Sequence, residues 1–191
     1  NDLFMKGNKL FAEKNYLAGL EIYKSIRLKY PLNTRLHDEI NKKIKIHKRP
    51  ISQSFSNIEI DKFFELQKLG HGLTVITKLS KFLVREKDDP LTISLLGKFW
   101  ELEGDLEKAI HFQLMAVNNS PFEVAFYLNL SKTLTQNNKL EEALKFLHLA
   151  KILSLTDKSI DHEIAKLNTT LKNYNEADLI YKELVKDKNV N

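Results

Sequence analysis

Cysteine is absent from the 191 residues, which excludes disulfides, thiolate metal sites and cysteine nucleophiles together. That absence fits a reducing compartment, and cytoplasmic residence is the default reading. Only four prolines and six glycines interrupt the chain, which argues for a helical protein. No apolar run approaches the roughly 18 residues that a membrane span needs, and the amino end carries no signal-peptide pattern. There is no glycine-rich phosphate loop: Gly70-His71-Gly72 reads as an interhelical turn. An initiator methionine is also missing, so the chain beginning at Asn1 is expected to be processed or to be a piece of something longer.

At 42% hydrophobic and 29% charged, the chain has enough apolar material to bury one extended core, which makes disorder a poor reading. The net charge of +5 is local. Arg35, Lys42, Lys43, Lys45, Lys48 and Arg49 face only Asp38 and Glu39 in the same stretch. Without interleaved aromatics for base stacking, this stretch reads as the solvated face of a helix and not as a specific nucleic-acid surface.

Gly70, Gly104 and Asn138 recur at a step of 34 residues, and Val75, Ala109, Ala143 and Ala177 keep the same step. A period of this length marks stacked helical hairpins. In Leu91 to Pro121, the apolar residues Leu95, Leu96, Phe99 and Trp100 precede a turn at Gly104-Asp105. Leu106, Ala109, Ile110, Leu114 and Val117 follow it, both sets at helical spacing. Ala109 and Ala116 are small where two helices approach closely. Ser120 with Glu123 and Ser56 with Glu59 have the spacing of capping boxes. Between Asn33 and Ser56 the step fails and about 22 extra residues intervene. There Leu36, Ile40, Ile44 and His47 form one stripe, which predicts an extra helix over Asn33 to Lys48.

With Gly97, Trp100, Ala109, Ala116 and Pro121 at the small, aromatic, small, small and proline positions, this unit resembles a tetratricopeptide repeat. Tyr127, Leu130, Ser131, Ala143, Leu147 and Ala150 continue the match, and Ile164, Ala165, Ala177, Tyr181 and Leu184 form a last unit with Asn168 where a large residue is expected. Leu66, Gly70, Val75, Leu79 and Phe82 form a degenerate unit, and Gly7, Leu10, Tyr16, Gly19, Tyr23 and Pro31 an amino-terminal one. The resemblance covers about four fifths of the chain. It implies an all-α fold, a right-handed superhelical solenoid of antiparallel helix pairs. The expected organisation is a hairpin plus one extra helix over 1–48, a linker over 49–56 and a four-repeat solenoid over 57–191.

The resemblance also implies a non-enzymatic module that binds a protein or peptide segment in a concave groove. Lys98, Lys132 and Lys166 recur at the same step in the first helices, at a position that in this family commonly faces the groove. Such a ladder would orient an acidic segment, with Glu101 partly compensating its first rung. Asn8 and Asn129 resemble two asparagines of the family's carboxylate clamp. Phe4 stands where that clamp wants a lysine, so the full clamp is absent and Asn129 is read as a contact to a peptide backbone. Phe11 and Phe64 are candidate aromatic anchors, whereas Phe63 reads as core.

No catalytic residue, metal site or cofactor is read from the chain. The six histidines have no metal-ligand spacing, and Asp161-His162-Glu163 point about 100° apart along a helix. Two further readings stay open. The chain resembles, weakly, repeat regions that precede sulfotransferase or glycosyltransferase domains in some bacterial proteins, where it would position a protein acceptor. Alternatively, it self-associates as a homodimer through Leu179, Ile180, Leu184 and Val185 of the last helix.

Overall fold

The computed structural model describes residues 2–48 and 54–188, and every described element is an α-helix. In chain order these are α1 (Asp2–Ala12), α2 (Tyr16–Lys29), α3 (Thr34–His47), α4 (Asn57–Lys68), α5 (Gly72–Arg85), α6 (Pro90–Leu102), α7 (Leu106–Asn119), α8 (Val124–Gln136), α9 (Leu140–Leu153), α10 (Lys158–Thr170) and α11 (Tyr174–Lys188). The turn within each hairpin is closed by a residue in the left-handed region. Gly70 and Gly104 both have φ +84°, Asn138 +57° and Lys172 +64°. Lys14, at +59°, does the same between α1 and α2. Left-handed backbone redirects the chain at a helix end, and glycine adopts it without the Cβ clash that other residues meet.

Contacts divide the chain into two compact units, Asn1–Lys48 with Lys139–Asn191 and Arg49–Asn138. The boundary at Asn138 falls inside the stretch that the sequence presents as four consecutive repeats.

The central unit is built on Phe55, Phe63, Val75, Ile76, Leu79, Leu95, Leu96 and Phe99. Helices α6 and α7 approach closely at Gly97 of α6, where an added Cβ would lie 2.6 Å from Gln113 Cγ and 3.2 Å from the Ala109 carbonyl of α7. Of the expected linker, residues 49–53 lie outside the described residues. The remainder is fixed: the Ser54 hydroxyl donates to Asp89 at 2.6 Å, and the Phe55 ring packs 5.3 Å from Phe63 and 4.7 Å from Phe82. Ser56 then caps α4, and its reciprocal bonds with Glu59 form the expected capping box. Hydrogen bonds from Ser56 hold the Glu59 carboxyl below the usual carboxylate range.

The Ser120 and Glu123 box does not form. Ser120 ends α7, and α8 starts at Val124 with Glu123 as an N-cap that makes no side-chain cap bond. The intervening turn is held instead by buried Phe122 and by Tyr127, whose hydroxyl donates to the Pro121 carbonyl at 2.7 Å.

In the other unit, α1 meets α2 through two glycines. A Cβ at Gly7 would lie 2.6 Å from the Tyr23 ring, and one at Gly19 would run into Phe11. The extra helix α3 buries Ile40 and Ile44 and places His47 edge-on to Phe11 at 5.2 Å. It is tied to α2 by Arg27, which donates to Asn41 Oδ1 at 2.7 Å. Helices α9, α10 and α11 stack in order, with Ala165 and Ala177 buried and Lys151 bonded to Asp161 at 2.6 Å. Asn168, buried where a large residue is expected, accepts from Asn173 at 3.1 Å. Within this unit α9 also packs on α2, which joins its amino-terminal and carboxy-terminal helices.

Candidate partner-binding surface

Helix α6 commits Leu95, Leu96 and Phe99 to the core, which turns Lys98 to the side that faces α8. Lys98 and Lys132 both reach Glu101. Its Oε1 lies 2.9 Å from Lys98 Nζ and 3.8 Å from Lys132 Nζ, and its Oε2 accepts from the Thr133 hydroxyl at 3.2 Å. The Glu101 side chain is 5% exposed and that of Lys98 24%, whereas Lys132 remains 62% exposed. Lys98 is thus occupied inside the protein, and Lys132 is the more available of the two. The sequence shows Lys98 and Glu101 as neighbours on one helix, but not that a second lysine and a threonine arrive from the next repeat.

Asn129 lies one turn before Lys132 on α8, half-buried, with its backbone carbonyl accepting from Thr133. Lys166 is exposed on α10, in the other unit. Phe11 and Asn8, both expected to meet a ligand, have partners inside the fold. Phe11 is 2% exposed, 4.8 Å from the Tyr23 ring and 5.6 Å from Tyr16, so it is core. Asn8 uses its side-chain oxygen on Tyr23, whose hydroxyl donates to it at 2.7 Å, so that acceptor already has a partner inside the fold. Burial also pushes the Tyr23 phenol up to about 12, which keeps it a donor at neutral pH. Phe64 is half-buried and packs 5.0 Å from Phe99, so part of its ring is already covered.

On α11, Leu179 and Val185 are 63% and 57% exposed, while Ile180 and Leu184 are half-buried. Among the described residues no three His, Cys, Asp or Glu side chains gather as metal ligands, and no helix is long and apolar enough to cross a membrane.

No protein-family model matches the chain, and no curated protein matches it in sequence. The solved structures that it resembles are helical repeat proteins, and its fold is of the tetratricopeptide type. A crystal structure of MamA aligns over 96% of this chain and 94% of its own, with a TM-score of 0.59 at 14% identity. MamA from Desulfovibrio magneticus RS-1, residues 41 to the end, aligns over 90% and 96% with a TM-score of 0.60 at 14% identity. The carboxy-terminal part of a repeat protein of this type from Cytophaga hutchinsonii aligns over 96% and 78%, with a TM-score of 0.59 at 15% identity.

Proposed function

We propose that this chain is a non-enzymatic protein-interaction module that holds an extended acidic segment of a partner protein against the first helices of its repeats. The observation that carries this reading is the unequal state of the two lysines at Glu101. Lys98 is bound at 2.9 Å and largely covered, whereas Lys132 stands 3.8 Å away with 62% of its side chain in solvent. Lys132 therefore has charge and donors to offer an incoming carboxylate, and Asn129 beside it offers an amide to a peptide backbone. Lys166 is exposed on its own first helix, in the other unit. A folded helical surface needs little ordering of its own when a segment docks.

The test is affinity capture from the source lysate by the wild-type chain and by a Lys132→Glu, Lys166→Glu double variant, which leaves the Lys98–Glu101 pair intact. A partner held by the wild type and lost from the variant is the expected result. Identical captures, or no specific partner, would defeat this reading.

Self-association through α11 is a second reading, favoured by the solvent exposure of Leu179 and Val185. Light scattering should then give a mass that rises with concentration, and Leu179→Lys with Val185→Lys should return it to 22.2 kDa.

A further inference from the structure

The unit formed by the two ends of the chain contains a half-open cleft of about 620 Å³ where α1, α2 and α9 meet. Its walls are apolar: Leu10 of α1, Leu17, Ala18 and Ile22 of α2, and Phe146 and Leu149 of α9. Its rim is cationic. Lys6, one turn before Leu10, is exposed and makes no ion pair among the described residues, and Lys145, 56% exposed, forms only a long ion pair, 3.7 Å, with Glu21 Oε1. Glu21 is itself split between two environments. Lys24 binds its Oε2 at 2.9 Å, while its Oε1, 3.7 Å from Lys145 Nζ, is buried at the cleft with no donor within hydrogen-bond distance among the described residues.

These features ask for three things from one ligand. The apolar walls ask for large apolar side chains, because burying them there removes hydrocarbon from water. The Lys6 ammonium and the loosely held Lys145 ammonium ask for carboxylates, and Glu21 Oε1, which has a long ion pair but no hydrogen bond, can accept an N–H. The volume lies within the range of ligand-holding clefts and exceeds what a single side chain fills.

We propose that this cleft is a docking site for an internal peptide segment of a partner protein, with adjacent large apolar residues flanked by acidic ones. The apolar pair enters between α2 and α9, the flanking carboxylates meet Lys6 and Lys145, and a backbone N–H of the segment donates to Glu21 Oε1. The site lies in the opposite compact unit from Lys132 and does not depend on the reading given for that lysine.

The probe is a fluorescein-labelled glutamate-leucine-phenylalanine-glutamate peptide amide, titrated with the full chain by fluorescence anisotropy. Two control peptides replace either the outer glutamates by lysine or the central pair by serine. The expected result is saturable binding that weakens by about tenfold or more for each control, since a tenfold change corresponds to about 1.4 kcal/mol, the scale of one good charge contact or one buried side chain. A Lys6→Glu, Lys145→Glu variant, altered only at exposed positions, should lose the peptide to a similar degree, and Ala18→Trp should block the cleft by volume. Lys132→Glu should bind it as the wild type does. No saturable binding, equal affinity for all three peptides, or loss in Lys132→Glu with retention in the rim variant would each overturn the proposal.

Discussion

Lys132 of α8 approaches Glu101 of α6 to 3.8 Å, although Glu101 already holds Lys98 at 2.9 Å on its own helix. One covered carboxylate therefore answers two lysines from successive repeats, and the Thr133 hydroxyl fills its other oxygen. The regular lysine spacing in sequence becomes an uneven pair in space, with one charge spent and one on offer.

Glu101→Gln should separate the two roles of that carboxylate. A neutral amide keeps the shape but weakens the charge-assisted bond to Lys98, a kind worth roughly 1.5–3 kcal/mol, and removes the long ion pair to the exposed Lys132, which is worth much less. The expected outcome is a lower urea midpoint together with tighter capture of an acidic partner, because both ammoniums become available. A variant that loses stability without gaining affinity would show that the cluster is purely structural.

Gln113 presents the opposite case. It is 1% exposed on α7, and neither its Oε1 nor its Nε2 meets a partner among the described residues. Its stem closes the space above Gly97, so the site requires an unbranched side chain of this length. Methionine has that shape without the polar atoms. Gln113→Met should stabilise by about 1 kcal/mol, since an unsatisfied buried amide costs about 1–3 kcal/mol. A calorimetric rise of about 2–4 °C in Tm is the expected reading for that gain.

Lys172→Gly tests the turn geometry. Lys172 carries φ +64° at the position where Gly70 and Gly104 carry +84°, and its side chain is exposed. Left-handed backbone costs a non-glycine residue roughly 1–2 kcal/mol, against about 0.4–1 kcal/mol for the added freedom of glycine in the unfolded chain. The variant should melt slightly higher than the wild type, and a lower Tm would mean that the lysine side chain contributes a contact of its own.

The same position shows how far sequence could be read. Gly70, Gly104 and Asn138 announce the hairpin turns because their residue types tolerate positive φ, whereas Lys172 and Lys14 hide the same turn behind a residue that does not advertise it. The small residues are legible for a related reason: Ala109, Ala143 and Ala177 keep the repeat step, and all three are buried. Glu101 as a hub was only half visible. Its bond to Lys98 follows from spacing on one helix, but its approach to Lys132 depends on how α6 and α8 register across a repeat. Phe11 shows why aromatic anchors misled, since Gly19 is the space that its ring fills and the two are on different helices. The packing of α9 on α2 was not legible at all, because a repeat pattern specifies neighbours and not a return of the chain to its beginning.

That packing makes a pH prediction. His148 of α9 is largely buried, and burial, reinforced by the positive field of Lys24 on α2, holds its imidazole below the ordinary histidine range, while Glu176 of α11 and Glu21 of α2 pull the other way. The folded protein therefore prefers the neutral ring. Because the folded value is depressed, the unfolded chain binds the proton first as pH falls, so this contribution is present above the unfolded value of about 6.5 and is lost on going below it. The wild type should lose Tm between pH 7.5 and pH 5, and His148→Gln should lose less over the same interval because it removes one of the groups that must be protonated. Carboxylates elsewhere contribute equally to both proteins, so the difference between their two pH profiles isolates His148. Parallel profiles would show that the imidazole takes its proton in the folded state as readily as in the unfolded one.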